Sequence, residues 1–309
     1  MMKIRLLYYK ILYHLRAFQR KHHIFLGIKE FGADRTFFTR EQRDELLIDA
    51  LTKHKPFLTG KFGGTEMFVM RTVEFNDKKN KEKACKQLCQ WSGFFPDNVH
   101  LLKKFNQIMK ETAKEIDLLE KWDKPCEDYF IKKYCKSMKG FCSVPLYMGE
   151  KAPWTKHLRG KRVLVISPFE YSIRKQYERR TKLFRDPDVL PEFELQTIKA
   201  VQTLGDEEDT RFKTWFEALS FMCQQVDELE FDIALIGCGA YGLPLGAYIK
   251  KKGKIAIHMG GGLQLMFGIW GKRWEEKPEI RALKNEYWIR PSEEEQIKGM
   301  EKVEGGCYW

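Results

Sequence analysis

The chain has 309 residues, 43% of them apolar and 32% charged, which excludes a disordered polypeptide and gives enough chain for one large core or two smaller ones. Its net charge of +12 is uneven: Lys3, Arg5, Lys10, Arg16, Arg20, Lys21 and Lys29 stand against Glu30 alone in the first thirty residues, half the excess in about a tenth of the chain. A basic terminal segment on a mildly basic remainder points to an anionic membrane surface, and no nucleic-acid partner is expected without a basic stripe on the folded part.

Residues 3–21 place Ile4, Leu7, Tyr8, Ile11, Leu12, Leu15 and Phe18 at spacings of three and four, which predicts an amphipathic helix. That helix either lies in a membrane interface, over residues 1–25, or packs on its own domain or a partner. Residues 1–35 are read as this helix and a linker, and 36–309 as a single domain. Thr39 and Gln42 form a capping-box pattern opening a helix to about His54. A strand over 56–62, a helix from Thr65, helices over 80–92 and 97–120, and an ambiguous strand at 127–135 follow. Residues 147–158 connect to a second half that alternates. Its strands are 163–167 (VLVIS), 193–201, 231–237 (FDIALIG) and 254–259 (KIAIHM), with helices at 171–184 and 210–229. Alternation of this kind predicts a Rossmann-like α/β fold, a mostly parallel sheet with helices on both faces.

Ligands of such sheets bind beyond the carboxyl ends of the strands. Four turns qualify. In the first, Lys61, Gly63, Gly64 and Thr65 lead into a helix whose free N–H groups suit a phosphate, and Glu66 is either a metal ligand, a base or simply a favourable helix-dipole charge. The second holds Pro168 and then Ser172, Gln176, Arg179 and Arg180 on one helix. These either grip a diphosphate or form a solvated basic face. The third, Gly237, Gly239, Tyr241 and Gly242, is a G-x-G-x-x-G turn between a strand and a helix. No acidic residue ends the next strand, which argues against a dinucleotide cofactor. The fourth carries His258, Gly261, Gly262 and Gln264, with Lys272 and Arg273 beyond. His258 is a candidate base or a hydrogen-bonded strand-end residue.

Eight cysteines without a C-x-x-C pair read as reduced cytosolic thiols, and no apolar run of about 18 residues exists to span a membrane. The charged N-terminus lacks the apolar core of a signal peptide, so a cytoplasmic location is expected, peripheral on the inner face of the membrane if the helix docks there. The aromatic end Cys307-Tyr308-Trp309 is expected to be docked, since frayed ends are commonly polar.

From about residue 55 onward the chain resembles bacterial surface-polysaccharide proteins related to the GT-D-type glycosyltransferases. The resemblance is carried by GKFGGTEM (60–67), GFFP (93–96), PWTKHLRGKRVLVISPFEYSI (153–173), LPEFELQTIKAVQT (190–203), GCGAYGLPLGAYIKKKGK (237–254), HMGGGLQLMFGIWGKRW (258–274), RPSEEE (290–295) and VEGGCYW (303–309). It implies a Rossmann-like sheet, a nucleotide-sugar donor such as a UDP-sugar, a glycan or lipid-linked acceptor, and Mn2+ or Mg2+ held at a D-x-E motif. Here that motif reads Gly64-Thr65-Glu66, keeping the glutamate without the aspartate. The competing expectations are another Rossmann-type nucleotide-sugar enzyme or dehydrogenase, and a non-catalytic nucleotide-binding scaffold of a polysaccharide assembly.

Overall fold

A computed structural model describes residues 2–24, 26, 36–142 and 154–309. The linker expected before residue 36 and the start of the 147–158 connection fall largely outside these residues.

Among the described residues, eight strands form one sheet: β1 (Thr36–Phe37), β2 (Phe57–Gly60), β3 (Leu118–Glu120), β4 (Gly140–Cys142), β5 (Arg162–Ser167), β6 (Glu194–Lys199), β7 (Ile233–Ile236) and β8 (Ile255–His258). Their order is β1-β4-β3-β2-β8-β7-β5-β6, and every pair is parallel. The described residues form eleven helices around the sheet: α1 (Met2–His22), α2 (Arg40–Lys53), α3 (Gly64–Glu74), α4 (Lys81–Ser92), α5 (Leu102–Glu115), α6 (Glu127–Tyr134), α7 (Glu170–Glu178), α8 (Trp215–Asp227), α9 (Gly242–Lys251), α10 (Leu263–Met266) and α11 (Pro278–Arg281).

The near-continuous apolar strands follow from burial on both faces. Successive residues of β5 go to opposite sides: Leu164 and Ile166 join a core with α3, α4, α5, α8 and α9, whereas Val163 and Val165 join one with α2, α7, α10 and α11. The predicted capping box is present, with Thr39 Oγ1 accepting from the Gln42 amide at 3.3 Å and Gln42 Oε1 accepting from the Thr39 amide at 3.0 Å.

Two expectations are corrected. The helix predicted over 97–120 stops at Glu115, and Leu118–Glu120 form β3. Leu118 and Leu119 extend the apolar spacing of α5, so periodicity alone runs through the break. The segment at 127–135 is helix α6, and Glu127 in its first turn accepts from the backbone amides of Trp122 and Lys124.

The chain end is docked, as expected. Trp309 Nε1 donates to the Glu295 carbonyl at 3.0 Å, its ring meets Phe169 edge-on, and its backbone oxygen accepts from Lys272 N and Arg290 Nη1.

Candidate functional site

The chain passes from β5 outward to β6, then returns to β7 and continues the other way to β8. The switch point therefore lies between the carboxyl ends of β5 and β7, where open α/β sheets place ligands. The space there is small. A pocket of about 50 Å³ lies between Pro168, Gly237, Cys238, Gly239, Gln264 and Tyr308. Tyr308 of the docked tail forms part of its wall.

A much larger cleft, about 750 Å³, opens beside it over the carboxyl ends of β2, β3 and β8. Its floor is the turn Lys61–Glu66. Its walls come from α4 (Lys83, Gln87, Trp91, Ser92), the turn after β3 (Trp122, Lys124), the tail (Glu304, Tyr308) and, from α1, Lys10 and Tyr13. Lys10, Lys61, Arg71, Lys83, Lys124 and Arg273 face two carboxylates, Glu66 and Glu304. That imbalance suits an anionic ligand.

The glycines separate into two kinds. All three of the G-x-G-x-x-G turn are required by protein contacts. A Cβ on Gly237 would lie 2.6 Å from the Gly260 carbonyl oxygen, one on Gly242 would lie 2.4 Å from the His258 ring, and Gly239, at φ +55°, would place one 2.8 Å from the Ser92 carbonyl oxygen. These glycines let turns and helices approach one another, while Gly237 and Gly239 also border the small pocket. Gly261 behaves likewise, with Tyr308 packed against it. Gly262 is buried, starting the turn into α10. Gly64 differs. A Cβ there would meet only the end of the Lys124 side chain, at 3.7 Å, so this position of the helix N-terminus faces the cleft.

Glu66 sits in the first turn of α3 and is buried. Its carboxylate folds back over Gly63, where a Cβ would stand 1.9 Å from Oε2, and it accepts from Thr65 Oγ1 at 2.8 Å. Thr65 and Ser92 share a short hydroxyl contact. Burial pushes the Glu66 carboxyl above its ordinary range, against hydrogen bonds that favour the charged form. A hard divalent cation takes about six oxygens, commonly several carboxylates. Among the described residues that line the cleft, one buried carboxylate stands among cations, and Glu304 is already paired to Arg273. The donor set of the described residues does not fit the Mn2+ or Mg2+ that the D-x-E resemblance implies. Among the described residues, Cys85, Cys89 and Asp97 do bring three potential metal ligands within 4.8 Å, but none of them lines the cleft.

His258 ends β8 with its ring packed between Gly60 and Gly242, and Nδ1 lacks a hydrogen-bond partner. Burial, assisted by the Lys61 charge, pushes its pKa down to about 3. Such a ring stays neutral at pH 7 and is a poor proton acceptor, so its surroundings do not support the base role expected of it. Lys61 lies 3.5 Å from Glu120 and 4.6 Å from the centre of the Trp122 ring.

The helix after β5 does not deliver its cations. Ser172 is bonded to Glu295 within the core, and Gln176 donates to the carbonyls of Gly268 and Tyr287. Arg180 pairs with Glu192, and neither it nor Arg179 lines the pocket or the cleft. The reason is direction: a helix following a strand runs back toward the amino ends of the sheet, and nine residues carry its far end ~13 Å away. Lys272 is also outside the cleft, with Nζ donating to the Gly305 carbonyl. Arg273 does line it, its guanidinium 4.6 Å from the Tyr308 ring centre and paired with Glu304.

Sequence reasoning missed Lys124, Trp122, Arg71, Lys83, Ser92 and the two α1 residues. Recognising β3 would have marked the turn carrying Trp122 and Lys124, because that turn follows a strand's carboxyl end.

No family model and no curated protein matches this chain. Two solved structures are similar to it. One is described as "The highly conserved domain of unknown function 1792 has a distinct glycosyltransferase fold", with 12% identity, 74% of this chain and 78% of that chain covered, and a TM-score of 0.42. The other is a selenomethionine-substituted structure of domain of unknown function 1792, with 12% identity, 74% and 79% covered, and a TM-score of 0.43. Likeness at this level does not carry chemistry from one chain to another.

Proposed function

We propose that the cleft binds a nucleoside diphosphate-sugar, a UDP-sugar in the first instance, and transfers its glycosyl group to a hydroxyl of a glycan or lipid-linked acceptor. The observation that carries this reading is the open Gly64 position at the α3 N-terminus, in a cleft whose described lining holds six cations and two carboxylates. Helix N–H groups and nearby cations stabilise negative charge, and in such a transfer that charge appears on the leaving phosphate. Lys61, Lys124 and Arg273 would hold the diphosphate. Trp122, 45% exposed at the mouth, offers an aromatic face to the base or sugar. The acceptor oxygen bonds to the anomeric carbon, the bond from that carbon to the β-phosphate oxygen breaks, and the nucleoside diphosphate leaves with the electron pair. Glu66, whose carboxylate is made more basic by burial, takes the acceptor proton. The charge on the leaving group is met by side chains, and no metal is assigned a step.

One observation favours a second reading, ligand binding without turnover: the Glu66 carboxylate is folded onto its own helix start, over Gly63. A dinucleotide enzyme is disfavoured by the glycines committed to packing.

Melting temperatures against UDP-, GDP-, dTDP- and CMP-sugars, free nucleotides and nicotinamide cofactors test the proposal, because a ligand of the folded state raises the melting temperature by mass action. A rise with one class of nucleoside diphosphate-sugar, in the absence of added metal, is expected, followed by release of nucleoside diphosphate when acceptor is supplied. A rise without release would favour the scaffold reading. A rise with nicotinamides alone would sink both.

A further inference from the structure

We infer that α1 is an interfacial helix that docks this protein on an anionic lipid bilayer. The inference stands apart from the transfer chemistry. Ile4, Leu7, Tyr8, Ile11, Leu15 and Phe18 occupy about 100° of the helix circumference. All six face solvent, from 40% exposed at Leu15 to 72% at Ile4. A solvated row of large apolar side chains this long marks an interaction surface.

The helix cannot turn the stripe inward, because its other face is already engaged. Leu6 is buried in the domain core, Tyr9 meets Tyr129 edge-on at 5.6 Å, Lys10 pairs with Asp77, and buried Arg16 pairs with Asp123 and Asp128. The helix thus does pack on its own domain, one of the two expected alternatives, but through the face opposite these six residues, which leaves the stripe outward.

Charge selects the occupant. Residues 1–29 contain no acidic residue. Exposed Arg5 and Lys21 flank the stripe on opposite sides, and exposed Lys132 of α6 borders the groove beside Ile4 and Tyr8. An apolar strip with cationic edges matches acyl chains beneath anionic headgroups. A second copy of the chain would bring the same one-sided positive charge to the contact. In addition, Lys10 and Tyr13 line the large cleft, so the docked helix would place a cleft wall at the lipid surface.

Flotation of the full chain with vesicles of phosphatidylcholine and phosphatidylglycerol tests this. The wild type should float with them, less so as salt rises, and weakly with phosphatidylcholine alone. Leu7→Glu/Ile11→Glu should lose at least about tenfold in partitioning with an unchanged melting temperature. Arg5→Glu/Lys21→Glu, which leaves the stripe intact, should lose the preference for anionic vesicles. Absence of wild-type flotation, or flotation undiminished in the apolar double variant, would overturn the inference. So would a solution dimer that this variant dissolves, in a protein that ignores vesicles. None of these outcomes depends on whether the cleft binds nucleotide.

Discussion

Arg273→Ala should weaken binding of a nucleoside diphosphate by roughly ten- to a hundredfold, the effect of losing one or two charge-assisted hydrogen bonds worth ~1.5–3 kcal/mol. The guanidinium lines the cleft beside Gly261, and Tyr308 and Glu304 hold it in place. A planar fork fixed in this way can grip phosphate with two parallel donors, which a lysine ammonium cannot do. Arg273→Lys should therefore recover only part of the affinity. Isothermal titration of both variants with the nucleotide found in the ligand panel reads the effect. Wild-type affinity in the alanine variant would remove Arg273 from the site.

The largest loss of stability is expected at Trp215. Its side chain is fully buried, stacked on Tyr241 at 5.0 Å and 12°, and in contact with Phe105 and Phe94 at 5.2 and 5.8 Å. Trp215→Ala removes the centre of this aromatic cluster and leaves a cavity, a change that costs ~3–5 kcal/mol in well-packed cores. Native domains hold only about 5–15 kcal/mol in total. The variant should thus unfold at markedly lower urea concentration with an unchanged denaturant slope. Tyr241 borders the small pocket at the switch point, so loss of its stacking partner also loosens that wall. A loss under about 1 kcal/mol would show that the cluster refills the space.

Much of the architecture is legible in the sequence because burial on both faces of a parallel sheet writes itself as apolar runs. VLVIS, FDIALIG and KIAIHM are β5, β7 and β8 within a residue or two at each end. The Thr39–Gln42 box opens α2, and the spacing in α1 gives its stripe. What the sequence hides is which way that stripe faces, since an inward and an outward stripe share one periodicity. The site is less legible for two physical reasons. A three-residue strand such as β3 is too short to show a period of its own after a long amphipathic helix, so the turn bearing Trp122 and Lys124 went unmarked. Glycine patterns also do not say what approaches the backbone. In Gly237, Gly239 and Gly242 it is the protein itself, whereas Gly64 alone among these turn glycines meets little but the end of one lysine. Arg179 and Arg180 illustrate a third limit: helix direction, not sequence distance, decides which edge of the sheet a cation serves.

Gly64→Leu separates ligand binding from folding, and titration of this variant with the nucleoside diphosphate tests the cleft most directly. Space at this position is open and the backbone there is helical, so leucine should leave the melting temperature unchanged or raise it slightly, by the ~0.5–1 kcal/mol that glycine costs in a helix. The same side chain would project into the volume assigned to the diphosphate. The account predicts a folded, stable protein whose affinity falls more than about tenfold, a loss of over ~1.4 kcal/mol. A folded Gly64→Leu protein that binds the nucleotide as tightly as the wild type would place the phosphates elsewhere and contradict it.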